Sequence, residues 1–425
     1  MSGPPGAVVT LPGAVPAQRP PETGDPTLDA SNRLETWIAL AGGWAGPERL
    51  ALILSGSHAR GDAVWTRVAG RMLSLSDLDL YAVMPDRAAQ RAAGRRAAAA
   101  RPGLQSRLED LGLAGSLEVA FLTPEDLARL PARPGTLELK RHGRVVAGDP
   151  GWLARVPAWG PRDVSAEEAL LLLENRAFEL LEARAGLAEP GELARLEARH
   201  ATLKTALDLA GVECLLRGEY PDEARSRVAC ARARRAGPEP PWETALAWRA
   251  GQVAPLEASG GASEWLATAT AWVTLWRDRV AAVTGARPGP AADRDPYAIA
   301  HHAARRASLR RRARQALTFS ARSGAGPGLI ERLRFWRRGT PQHRLGASAA
   351  VMLIRAVTEA AATGSPVVEP GARIPPGADP AALWRAALAR LGVVAHPGVA
   401  AEAELELVRC WDRWVLDGQR SAEAS

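Results

Sequence analysis

Two carboxylates inside an apolar run constrain this chain more than any other feature. From Leu50 to Met84 it reads LALILSGSHARGDAVWTRVAGRMLSLSDLDLYAVM: an apolar run, a Gly-Ser turn, a polar insert, and then Asp77 and Asp79 flanked by Leu75, Leu78, Leu80 and Val83. On a strand, successive side chains alternate faces, so Asp77 and Asp79 project together while Leu78 and Leu80 project together. Two anions on one side of a half-buried strand repel each other and resist desolvation, so the pattern is costly unless a cation joins them. An all-oxygen donor set selects a hard ion such as Mg²⁺, which takes its remaining ligands from water and substrate phosphates. Two such ions about 4 Å apart suit a displacement at phosphorus.

Upstream, an expected strand over residues 50–54 runs into Ser55-Gly56-Ser57. The missing Cβ of Gly56 lets a phosphate approach the backbone amides, and the Ser57 hydroxyl with a short helix over residues 58–62 would complete an anion cradle. A solvated edge strand and an ordinary turn account for the same residues separately; they gain meaning from occurring together.

The run Gly56-Ser57-His58-Ala59-Arg60-Gly61-Asp62, followed by Ser76-Asp77-Leu78-Asp79-Leu80, resembles the signature of the DNA polymerase beta-like nucleotidyltransferase superfamily, which includes aminoglycoside and minimal nucleotidyltransferases. The resemblance spans roughly residues 50–149. It implies an α+β chain: an N-terminal nucleotidyltransferase domain with a small mixed β-sheet flanked by helices, then a largely α-helical C-terminal region. It also implies that Asp77 and Asp79 hold metal and that a third acid follows on a later strand. Glu118, in Ser116-Leu117-Glu118-Val119-Ala120-Phe121-Leu122 and 39 residues beyond Asp79, matches that position. Gly56 and Ser57 would face the nucleotide, with Arg60 either a phosphate contact or a surface arginine. Relatives often set a basic residue of the helical domain against the triphosphate; Lys204 is the candidate here, a solvated helix face being the plainer reading. His200, one turn earlier on the same face, reads as an ordinary, partly packed histidine.

This chain departs from the family pattern in one place. Nineteen residues separate Ser57 from Asp77, more than usual, so residues 63–74 are expected to form an extra loop or hairpin beside the site.

Length admits two or three domains in 425 residues. The expected division is a disordered Pro/Gly/Ala lead over 1–26, the transferase domain over 27–160 with a first helix near residues 28–42, a helical domain over 161–290, and an Arg-rich helical domain over 291–425. The segment 137–146 resembles the short piece that closes many domains of the family. Ser165-Ala166-Glu167-Glu168 has the form of a capping box opening a helix that ends at Gly186. A second helix runs over 191–217 and stops at Gly218. Further helices are expected over 242–248, 265–283 and 297–321, with Trp265, Trp272 and Trp276 at helical spacing as core residues.

The segment 301–345 carries twelve arginines against the single acid Glu331, while the whole chain is only +7. Such a field attracts nucleic acid or an anionic membrane surface, where Phe335 and Trp336 would stack on bases or insert at the interface. Arginines pairing with acids elsewhere account for it equally well. Three widely spaced cysteines, Cys214, Cys230 and Cys410, fit reduced thiols, no Cys/His cluster has zinc spacing, and His301-His302 point apart on a helix. With no basic leader and no apolar run near 18 residues, the expected location is the cytoplasm.

The functional expectation is an enzyme that transfers a nucleotide from an NTP, with ATP the expected donor, to a hydroxyl acceptor, using Asp77, Asp79 and Glu118 with two Mg²⁺ ions. Small hydroxylated molecules, protein side chains and RNA ends all remain open as acceptors. The alternative is a nucleotide-sensing protein that docks on nucleic acid or an anionic surface through its Arg-rich helices.

Overall fold

The computed structural model describes residues 26–100, 104–235, 237–251, 260–284 and 341–363. The lead up to residue 25, the helix expected over 297–321, the His301-His302 pair, the Arg-rich segment as far as Thr340, and Cys410 lie outside them. Helix α1, Pro26–Ala45, begins two residues before its expected start and takes in the last residue assigned to the lead.

The N-terminal part is built on a four-stranded mixed sheet. Strand β1, Ala51–Ser55, runs directly into the short helix α2, Gly56–Arg60, so the expected turn is the first turn of that helix. A two-stranded hairpin follows, β2 (Trp65–Val68) and β3 (Arg71–Ser74), where the long insert predicts a loop or a hairpin. Its two-residue connection, Ala69-Gly70, has positive φ at both positions, matching the right-handed twist of the flanking strands. Strand β4 is Leu78–Val83; helices α3, Arg87–Ala100, and α4, Leu104–Asp110, then carry the chain to β5, Leu117–Leu122. Parallel neighbours need such a crossover, and β5 pairs parallel to β4. Helix α5, Pro124–Leu127, helix α6, Pro134–His142, and strand β6, Arg144–Gly148, complete the unit. The order across the sheet is β5-β4-β1-β6.

Alternation explains why both faces are covered. Leu52, Leu54, Leu78 and Leu80 pack with Trp37 and Ala41 of α1 and with Leu108 and Leu113. Ala51, Ile53 and Val83 pack on the opposite side with Leu122, Leu127, Leu139 and Val156. The hairpin is pinned to this body by aromatics: Trp65 stacks on Trp37 at 5.4 Å, and the buried His58 meets both rings edge-on at 5.8 Å.

Beyond residue 160 the chain is helical: α7 (Ala166–Ala188), α8 (Glu192–Leu215), α9 (Ala224–Arg232), α10 (Trp242–Arg249), α11 (Gly260–Thr284) and α12 (Pro341–Thr363). Gly218 has φ 73, the left-handed conformation expected past the end of α8. Only half of the expected capping box forms. Ser165 accepts from the Glu168 amide at 3.3 Å, but the Glu168 carboxylate turns to Arg133 at 3.1 Å instead of reaching back. Gly186 does not stop α7, which continues for two more residues.

Trp265, Trp272 and Trp276 are core residues, each at most 1% exposed. Two of them satisfy their indole N–H on α7, Trp265 to the Leu180 carbonyl and Trp272 to that of Leu173. Cys214 is buried, Cys230 half-buried, and both are free thiols. No helix among the described residues is long and apolar enough to cross a membrane.

A third apolar cluster joins the two regions. Val64, Leu75 and Ala114 of the sheet unit pack against Leu203, Ala206, Leu207 and Ala210 of α8 and against Trp242 and Trp248 of α10. Each large side chain so buried contributes about 1.5–3 kcal/mol, which fixes α8 across the entrance to β4.

Candidate active site

The register of the sheet gathers the expected acids and the Gly-Ser turn at one end of β1, β4 and β5. Ser55, the last residue of β1, lies opposite Asp79 on one side of β4, and Glu118 lies opposite Asp79 on the other. Asp77 immediately precedes β4 and Gly56 immediately follows β1. At Gly56, φ is 66, and a Cβ there would collide with the Asp79 carboxylate, whose Cγ would be 3.3 Å away. Glycine is required on both counts: left-handed backbone and the close approach of a carboxylate.

Asp77 and Asp79, two residues apart, are treated in opposite ways. One oxygen of Asp77 accepts from the backbone N–H and the hydroxyl of Ser116, each at 3.0 Å. Its other oxygen meets the Lys204 ammonium, brought in by α8, also at 3.0 Å. Burial disfavours the Asp77 charge, but Lys204 and the Ser116 bonds outweigh it and hold the carboxyl well below the usual range. The Asp79 carboxylate makes no hydrogen bond or ion pair among the described residues. Burial, reinforced by the charges of Asp77 and Glu118, pushes its carboxyl up to about 7, with Lys204 opposing weakly and Glu138 adding to the rise.

Lys204 is therefore drawn into the site rather than left on a solvated helix face. It lies 3.8 Å from Glu179 of α7 as well. Arg60 has a different surrounding. Its guanidinium is engaged by Asp62 at 3.2 Å and by Glu138 of α6, whose other oxygen accepts from the Tyr220 hydroxyl at 2.8 Å. Arg249 of α10 adds a contact to Asp62 at 3.3 Å. This network ties α2, α6 and the helical region together and occupies the arginine that the sequence leaves available to phosphate.

Two participants are missed by sequence reading. Ser116 shares the Glu118 side of β5 by alternation, a signal that was present. Glu138 is the single acid of the short helix α6, and nothing in its neighbours along the chain marks it.

The donor chemistry suits a hard divalent cation: Asp77, Asp79 and Glu118 supply only carboxylate oxygens, and Asp79 sits among like charges without a cation bonded to it. Among the described residues, however, no group of three or more His, Cys, Asp or Glu side chains is drawn close enough to enclose an ion, and Lys204 holds an oxygen of Asp77.

No protein-family model matches the chain, and no curated protein does. Among solved structures, the spectinomycin adenyltransferase AAD(9) from Enterococcus faecialis, crystallised with ATP and spectinomycin, is similar over 58% of this chain and 97% of its own, with 10% identity and a TM-score of 0.33.

Proposed function

We propose that the chain is a metal-dependent nucleotidyltransferase, moving a nucleoside monophosphate from a nucleoside triphosphate, ATP by preference, onto a hydroxyl acceptor with release of pyrophosphate. The observation that carries this reading is the like-charge-crowded Asp79 carboxylate, unbonded among the described residues, beside a fully bonded Asp77 where a glycine turn, two strand ends and a lysine from the helical region meet. Burial and like charges raise the Glu197 carboxyl to about 7 as well; Asp79 differs in lying where β1, β4 and β5 meet, beside a second carboxylate and a lysine, the kind of cluster in which perturbed groups gather at functional sites.

Divalent cations held by Asp77 and Asp79, with Glu118 beside them, would supply positive charge to the phosphate oxygens and the departing pyrophosphate. The protein's own groups do the rest. Lys204 exchanges Asp77 for the triphosphate, acting as a mobile point charge. Glu118 orients the acceptor hydroxyl and takes its proton as that oxygen forms its bond to the α-phosphorus and the bond to pyrophosphate breaks. Gly56 lets the Asp79 carboxylate close against the end of β1. Catalysis on this account is positioning and charge stabilisation. Residues 27–160 would carry the reaction and 161–290 would supply Lys204 and the floor of the site.

The purified chain, mixed with each α-labelled nucleoside triphosphate, Mg²⁺ and a cell extract, is expected to move label onto an acceptor, and Asp77→Ala is expected to abolish the transfer. Label transfer that persists in Asp77→Ala removes the assignment.

A further inference from the structure

We infer that His200 donates a hydrogen bond to a phosphate oxygen of the bound nucleotide, held in its Nε2–H form by the indole of Trp248. The inference rests on the proposed nucleotide site and adds to it a donor and a device that sets the donor.

His200 and Lys204 are four residues apart on α8 and share a face, and Lys204 reaches Asp77. The Trp248 indole nitrogen lies 3.2 Å from His200 Nδ1. An indole N–H only donates, so Nδ1 must be the bare, accepting nitrogen and the ring proton must reside on Nε2. Nor is the indole free to turn away. Trp248 is 6% exposed within the cluster that joins α8 to α10, and the Arg199 guanidinium lies 5.0 Å above its ring. Arg199 is itself clamped to Glu264 of α11 by two contacts of 2.7 Å. A chain of contacts from α11 through α8 and α10 thus orients one imidazole.

The chemistry of that imidazole follows. Its only lone pair is taken by Trp248, so it has no basic nitrogen to offer an acceptor hydroxyl and is excluded as a general base. Burial, with the neighbouring positive charges of Lys204 and Arg249 against the opposing Asp77, pushes the ring down to about 3 and keeps it neutral. What remains is an N–H donor beside a lysine. The ring makes no second hydrogen bond among the described residues, and Nε2 is not one of their sealed, unsatisfied atoms. A donor next to an ammonium fits an anionic oxygen, and the triphosphate supplies one.

The test measures binding of magnesium α,β-methylene-ATP by calorimetry, with histidine tautomers read from ¹⁵N-histidine-labelled protein by NMR. The wild-type chain is expected to show His200 as Nε2–H. His200→Leu should weaken binding about tenfold, the size of one hydrogen bond to a charged acceptor, while His200→Gln, which restores an N–H near the Nε2 position, should stay within about threefold of wild type. Trp248→Phe keeps most of the packing but should admit the Nδ1–H form and cost roughly threefold. Should His200→Leu prove unstable by thermal melting, His200→Gln still decides the matter through affinity and Trp248→Phe through the tautomer signal. Wild-type affinity in His200→Leu, or an Nδ1–H ring in the wild type, overturns the inference. If Asp77→Ala loses the nucleotide in the same assay while His200→Leu keeps it, the donor role falls and the active site stands. A wild-type chain that binds no nucleotide sinks both.

Discussion

In the helical region, Arg199 on α8 meets Glu264 on α11 through two parallel 2.7 Å contacts, with both side chains no more than 10% exposed. At one end of β1, β4 and β5, the Asp79 carboxylate is crowded by Asp77 and Glu118 and bonded to neither a cation nor an N–H among the described residues. Both regions place charge where water is scarce, yet only one balances it locally. A matched buried pair maintains the geometry of a scaffold. An unmatched carboxylate carries a cost that the folded chain alone does not recover, and it marks the place where something else is meant to bind.

The contrast is open to attack from both ends. Glu264→Leu strands the Arg199 guanidinium and should lower stability by about 3–5 kcal/mol in urea denaturation, whereas replacing both partners by apolar residues should be close to neutral. A small effect of the single change would mean that the pair is not the scaffold element it resembles. Asp77→Asn removes the partner of the partly exposed Lys204 and should lower the melt modestly, while nucleotide transfer should fall by about 10²–10³-fold, measured as initial rate at saturating Mg²⁺.

Asp79→Asn tests the unbalanced side. The folded carboxyl titrates near 7, above its ordinary value of 3.8, so its contribution to stability is full below that ordinary value and is lost as pH rises through 7. In chelator-treated protein, stability should therefore fall between pH 5 and pH 8, and the asparagine variant should fall by on the order of 2 kcal/mol less than the wild type, the raised Glu197 carboxyl contributing equally to both. A wild-type profile that is flat over this range would contradict the crowding. Ser165→Ala, far from the chemistry at the start of α7, should cost about 1 kcal/mol and leave magnesium-nucleotide affinity unchanged.

Much of this architecture is readable in one dimension. The insert between Ser57 and Asp77 forms a hairpin, one of the two forms expected from its length, and the tryptophans of α11 fall inward at helical spacing. The Gly-Ser signature lies where β1 ends, and Asp77 and Asp79 lie where β4 begins. Each of these depends on neighbours a few residues away. The fate of Glu168 does not: local rules send it back to its own helix end, and Arg133, brought close by the sheet unit, takes it instead. Arg60 likewise is available to phosphate in the sequence and committed to Asp62 and Glu138 in the fold.

By itself the sequence determined which side chains share a face, roughly which segments are strand or helix, and that an acidic pair sits in apolar surroundings. Alternation and helical repeat follow from backbone geometry, so they are written locally. Only the tertiary structure decided that Asp77 is neutralised by Lys204 across 127 positions while Asp79 is not, and that Trp248 sets the proton of His200. Charge balance and tautomer depend on which distant groups come within about 3 Å, and that distance is set by the packing of α8 against the sheet unit.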